Sequence, residues 1–306
     1  GSLIVTMKMD PGLAIVIVLL VGLAIGVWQG FWIAYVRLPS FIVTLAGMLT
    51  FRGLTIFMLK GLTIGPFPEF FQGISSGFVP DFLASGEPEL NVTALVAGAA
   101  IAALYVLVQL SGRLHKRRNG YASSALPLFI AGLVLVVGVI GLATYWLAAY
   151  RGIPIVFILI GVLVVAYSFF TMRTVPGRYL YAMGGNEKAA QLSGINTNKV
   201  LFFAYVNMGI LSAIAGIAVA SRLNAASPLA GQNFELDAIA ACYIGGASAS
   251  GGIGTIVGAI IGALVMGVLN NGMSIMGIGS DIQQFVKGLV LLLAVAFDVL
   301  SKRKAR

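Results

Sequence analysis

Few residues in this 306-residue chain could perform bond chemistry. His115 is the only histidine, and it stands in the basic run 113–118 as a solvated loop residue. No Ser/His/acid triad can be built on it. No His/Cys/Asp/Glu group has metal-ligand spacing, so no metal or cofactor site is expected. Cys242 is the only cysteine, which rules out an intrachain disulfide. It lies in an apolar stretch and reads as a packing residue. No Gly-Lys-Ser/Thr step occurs, so there is no P-loop. Leu192-Ser193-Gly194 echoes an ATPase signature motif, but without a P-loop it is a decoy. The glycine run 245–254 has no G-x-G-x-x-G opening a helix, which excludes a dinucleotide site. The chemistry left is non-covalent.

Ionisable residues inside apolar runs come first. Arg52 interrupts the run 41–59. At mid-helix it costs about 2.5–3.5 kcal/mol to insert into a bilayer. The Phe, Ile, Leu and Val residues around it return about 0.3–0.6 kcal/mol each, so the span inserts. Arg52 must then face protein or water, as a structural partner or as lining of a pathway. Glu235 and Asp237 open another apolar run. They suit a helix N-terminus as local caps, or a gate or protein contact at that end. Lys287 and Asp298 lie towards the ends of the last run, within reach of the membrane surface. Tyr205, Asn207, Asn270 and Asn271 are of types that could read hydroxyl groups.

The loop 172–199 carries the sharpest local signal. Asn186 is a good N-cap, Glu187 suits the positive helix start and Gly194 suits a stop. Between them, Lys188, Ala189, Ala190, Gln191, Leu192 and Ser193 complete a helix of about seven residues. An isolated helix that short is marginal in water, so it must dock on something. Small Ala189 and Ala190 admit a close partner. The surface it meets is either another protein or its own bundle.

The elements that position these residues are membrane helices. The chain is 59% hydrophobic and 9% charged, with mean hydropathy +1.00. A soluble domain carries about 25% charged residues, so lipid must be the missing solvent. The net charge of +9 is scattered in short clusters between apolar runs. That pattern fits cytoplasmic loops and excludes a nucleic-acid stripe. About eight runs can span: 12–36, 41–59, 91–110, 125–150, 154–171, 200–220, 236–269 and 286–300. Glycines 22, 26 and 30, and glycines 254, 258 and 262, form stripes for tight helix pairs. Chain 1–306 reads as a single all-α transmembrane domain.

Basic residues concentrate in 111–124, 172–199 and the C-terminal tail, placing these three inside. Residues 60–90 hold Lys60 against Glu69, Asp81, Glu87 and Glu89, placing that loop outside. Parity then requires 236–269 to enter and return, which is too short for two full helices. A broken or re-entrant helix near 236–254 follows, with arms at about 236–248 and 252–269. Irregular backbone at that depth must be buried by protein or line water. Pathway lining and a plain glycine hairpin both satisfy this. Parity also makes 37–40 an inside turn and puts residue 1 outside, implying spans before it. No signal peptide is evident.

Three stretches resemble one family. GGNEKAAQLSGIN (184–196), PSFIVTLAGMLTFRG (39–53) and FELDAIAACYIGGASASGGIGTIVGAIIGAL (234–264) are similar to permeases of ABC sugar importers of the ribose/xylose/galactose group. The likeness is nearest to the D-xylose-type members and runs along almost the whole chain. Members carry further N-terminal spans.

The resemblance implies a multi-pass inner-membrane subunit that translocates a monosaccharide and has no ATPase site of its own. It implies three protein partners: a second permease copy, a cytoplasmic ABC ATPase that binds ATP and magnesium, and a periplasmic sugar-binding protein. It makes Gly184, Gly185, Asn186, Glu187, Lys188, Ala189, Ala190, Leu192, Ser193 and Gly194 the ATPase-coupling loop. Two rivals remain: an ion-coupled secondary transporter and a passive channel. The first predicts matching broken helices in two halves, whereas one broken segment is visible. The second has no use for a capped cytoplasmic helix.

Overall fold

Apolar runs become helices where capping residues meet them. The computed structural model describes residues 1–83, 90–119, 126–248 and 251–304. Helix α1 spans Pro11–Ala34, with Pro11 in its first turn and Asp10 accepting a 3.1 Å bond from the Leu13 amide. Helix α2 covers Ser40–Leu59 after Pro39, and α3 is the short Glu69–Ser76. Helix α4 runs Val92–Arg118, capped by Asn91, and α5 runs Leu126–Tyr150. Then come α6 (Ile155–Arg173), α7 (Val175–Gly185), α8 (Glu187–Leu192) and α9 (Thr197–Leu223). Helices α10 (Phe234–Ile244), α11 (Ile256–Ile275) and α12 (Ser280–Lys304) complete the chain.

Among the described residues, eight helices are long and apolar enough to cross a membrane: α1, α2, α4, α5, α6, α9, α11 and α12. Their large side chains face outward; Leu128 is 71% exposed and Val165 69%. Lipid is the natural solvent for such faces. Among the described residues there is no strand, only isolated bridges at Ile64–Ala226 and Phe78–Pro154.

The broken helix is present. Helix α10 stops at Ile244 and α11 starts at Ile256, with the glycine-rich turn between. Ala249 and Ser250 of that turn, like Glu87 and Glu89 of the loop 60–90, lie outside the described residues. Four boundaries move from the sequence reading. Helix α4 continues through the basic run, so His115 is helical and not in a loop. Helix α9 gains about a turn at each end. Helix α12 begins at Ser280, because its first turn is polar and escapes a hydropathy criterion. Helix α7 occupies what read as open loop.

Two compact units result. One comprises residues 1–72 and 159–306, the other residues 73–158. In the larger unit α1 packs along α9. A Cβ on Gly26 would come within 2.9 Å of the Tyr205 carbonyl oxygen and of Val206 Cα. One on Gly22 would reach Ala213 Cβ at 2.6 Å. The stripe Gly22-Gly26-Gly30 is therefore a backbone-to-backbone crossing. Gly258 and Gly262 do the same for α11 against Gly245 and Ala241 of α10. Gly254 is not part of that stripe. It lies in the turn at φ +148°. Ala240, Ala241 and Met266 form a buried cluster with Ile244, Val290 and Leu291, joining α10, α11 and α12.

In the smaller unit α4 pairs with α5. Asp81 tops α4, accepting from the Val92 amide at 2.7 Å, the Thr93 amide at 3.0 Å and the Thr93 hydroxyl at 2.7 Å. Those bonds, the Thr93 hydroxyl first, hold the Asp81 carboxyl below its ordinary value.

Candidate functional site

Helix α8 is six residues long and needs support beyond its own hydrogen bonds. Its cap is as expected: Asn186 Oδ1 accepts from the Ala189 amide at 3.0 Å. Asn186 also ends α7, so one extended residue joins the two helices. Gly194, at φ +83°, turns the chain away. The anchor is Glu187. Its Oε1 accepts from Arg37 Nη1 at 2.6 Å and from the Thr197 hydroxyl at 3.3 Å. Gln191 Nε2 donates to the Thr197 hydroxyl at 2.9 Å, and Arg37 also bonds Asn198. Arg37 reaches this position from a left-handed backbone (φ +62°) just beyond α1. The Arg37 hydrogen bond and charge, with help from Thr197, hold the Glu187 carboxyl below its ordinary 4.5.

The helix therefore lies on its own bundle along one side and presents the other. Ala190 is buried, whereas Leu192 is 90% exposed. Gly184, Gly185, Lys188, Ala189, Ser193 and Gly194 lie around this edge, and Gly184 packs inward on the turn before α11.

A second polar group lies within the larger unit. Asp237 Oδ2 on α10 accepts from Lys287 Nζ of α12 at 2.9 Å and from Asn270 Nδ2 of α11 at 3.0 Å. The Asp237 and Lys287 side chains are only 17% and 19% exposed. Asp237 Oδ1 and Asn270 Oδ1 are buried without a hydrogen-bond partner. Lys287 thus does not reach for the membrane surface; it sits two turns into α12 because α12 starts earlier than its apolar run. Asp237 is a tie between three helices, and not the cap of α10.

The other predicted residues do not join either group. Glu235 and Asn271 are exposed. Asn207 accepts a 2.7 Å bond from the Tyr167 hydroxyl. Arg52 is half-buried on α2 and makes no ion pair among the described residues, so its expected partner is not supplied by them. Tyr205 lines a cavity of about 780 Å³ between α1, α2 and α9, with Gln29, Thr44, Thr55 and Ser212. Gln29 Oε1 is buried there and unpartnered.

Arg37, Thr197, Asn198, Lys287 and Tyr181 escaped the sequence reading as contacts. One signal was available: parity had put 37–40 and 172–199 on the same side. For α7, the Thr174-Val175-Pro176 start was a legible cap. Thr174 does accept from the Gly177 amide.

The apolar helices with outward faces define a multi-pass membrane protein. Residues 152–295 match the family described as branched-chain amino acid transport system / permease component. The chain is 42% identical over 294 residues to the xylose transport system permease protein XylH of Escherichia coli (strain K12). That alignment covers 96% of this chain and 72% of the relative. XylH of Haemophilus influenzae is 40% identical over 290 residues, 95% of this chain and 75% of the relative. The ribose import permease protein RbsC of Escherichia coli (strain K12) is 48% identical over 147 residues, 48% of this chain and 46% of the relative. No solved structure matches the chain. The chain belongs to the family of ABC-type importer permeases that includes the xylose and ribose systems, and it is a multi-pass protein of the bacterial inner membrane.

Proposed function

We propose that this chain carries xylose or a related monosaccharide inward as the membrane subunit of an ATP-driven importer. Kinship to xylose permeases along nearly the whole chain is the observation that carries the substrate class. The permease performs no bond chemistry. Two copies pair in the membrane, each binding a cytoplasmic ATPase that holds ATP and magnesium, and a periplasmic binding protein delivers the sugar. The end of the larger unit bearing Arg37, Glu187 and the turn before α11 faces the cytoplasm.

Helix α8 is the ATPase-docking helix in this reading. Arg37 and Thr197 fix it in place while Leu192 is left open to an apolar groove. The cavity beside Gln29 and Tyr205 offers room and unspent hydrogen-bonding capacity for a sugar. Ligand pockets typically combine largely apolar walls with a few such groups.

The test is reconstitution in vesicles with the ATPase and a sugar-binding protein. Xylose uptake should require ATP and both partners. Uptake by the permease alone, driven by a proton or sodium gradient, overturns the reading.

A further inference from the structure

Helix α8 has two outlets into the larger unit. One is the polar latch of Glu187 to Arg37 and Thr197, which leads to the α1–α9 pair. The other runs back through Asn186 into α7, whose last residues lie on the turn that breaks α10 from α11. The second contact is unusually direct. A Cβ on Gly184 would come within 2.5 Å of the Gly252 amide nitrogen. One on Gly251 would lie 2.6 Å from the Gly184 carbonyl oxygen, and one on Gly252 would lie 2.7 Å from Gly185 Cα. Backbone touches backbone, with no side chain between them to yield. Gly251 and Gly252 hold φ of +82° and +74°, which glycine alone adopts freely. Tyr181 adds a tie one turn earlier, its hydroxyl donating to the Gly254 carbonyl at 2.8 Å.

Hydrogen bonds also tie the described residues of the turn to one another. The Ser248 amide donates to the Ile253 carbonyl at 3.0 Å, and the Gly251 amide to the Ser248 carbonyl at 3.1 Å. Behind it, Gly245 and Gly258 bring α10 and α11 backbone to backbone. A push on this turn therefore reaches both arms of the broken element. At the far end of α10, the Asp237–Lys287 pair ties it to α12 and supplies a fixed point.

We propose that the contact of Gly184 and Gly185 with Gly251 and Gly252, aligned by Tyr181, passes displacement of α8 to the broken element α10–α11. Tyr181 and these four glycines are positioning residues for transport. The inference rests on the reading of α8 as the ATPase-docking helix. Packed interfaces shift between discrete arrangements and do not deform smoothly, so a contact without slack transmits what a soft one absorbs. The α1–α9 latch holds α8 in register, and the glycine contact conveys its motion.

Three variants test this in vesicles holding the assembled importer, with xylose uptake per ATP hydrolysed as the readout. Tyr181→Phe removes the tie and leaves the ring. Gly252→Ala forces the two backbones apart. Leu192→Asp reports on docking alone. Tyr181→Phe and Gly252→Ala should retain the ATPase on purification and still hydrolyse ATP, while uptake per ATP falls by about tenfold, within the range of site-to-site coupling. Unchanged uptake per ATP in Tyr181→Phe, or loss of the ATPase from it, overturns the proposal. Should Gly252→Ala fail to reach the membrane, Tyr181→Phe still decides. Full ATPase retention by Leu192→Asp sinks the docking reading separately, whatever the other two do.

Discussion

Glu187 and Arg37 are each 43% exposed, so water screens the pair. Exposed pairs are worth about 0.2–1 kcal/mol, too little to decide whether the bundle folds. Their role is geometric: they set where α8 lies. The sign of the pH effect follows from the depressed carboxyl. Stability from the latch is present above the ordinary Glu range and is lost as pH falls through the lowered value. ATPase retention should thus be flat from neutral pH down to the carboxylate range and fall only in stronger acid. Glu187→Gln should flatten that acid limb, which pull-down across a pH series would read. Glu187→Arg sets two guanidinium groups face to face and should release α8, so the ATPase is lost on purification while the permease stays folded.

Asp237 and Lys287 obey a different balance. Removing one partner of a buried pair costs about 3–5 kcal/mol, because the other charge is stranded in a poor solvent. A fifth of each side chain remains exposed, which puts this pair at or below the lower end of that range. Lys287→Met should therefore lower the unfolding temperature in detergent clearly. Adding Asp237→Leu should recover part of the loss. A double variant weaker than both singles would show that the residues act independently.

At the scale of elements, glycine decides which helices meet. Gly22 and Gly26 come against the α9 backbone at Gly209, Tyr205 and Val206, and Gly30 against the Phe202 carbonyl and ring. Gly26→Leu should force α1 from α9 and cost at least the 1–3 kcal/mol typical of overpacking. Thermal unfolding in detergent would show it. Leucine at Gly138, where a Cβ meets nothing within 4 Å, should be tolerated. The stripes were visible in the sequence as spacing, but their partners were not. Existence and length of the long helices were legible because a bilayer demands about 20 apolar residues. Helix α7 was not, since Gly177, Gly184 and Gly185 lower its intrinsic preference and tertiary packing overrides that. The polar first turn of α12 hid from hydropathy for a related reason: Asp281, Gln283 and Gln284 carry no apolar signal.

Across the whole larger unit, the parity argument and the contacts agree. Helix α9 has 27 residues and so a length of about 40 Å. Arg37 and Glu187 meet its first residue, and the Ile64–Ala226 bridge lies just past its last. The turn between α10 and α11 joins the first of these ends through Gly184. A segment that enters and returns was required by counting basic residues alone.

The amino-acid sequence determined by itself that this is an α-helical membrane protein with about eight spans and one broken helix. It did so because lipid cannot satisfy free backbone groups, which makes apolar length and charge placement decisive. Its motifs also placed it among sugar-importer permeases. Only the tertiary structure decided which polar groups meet: Glu187 with Arg37, Asp237 with Lys287, and Gly184 with Gly252. These partners stand 50 to 150 residues apart in all three cases. No periodicity links them, and their pairing is set by how whole helices cross. Glu187 and Asp237 are thus positioning groups whose partners only the packed bundle supplies.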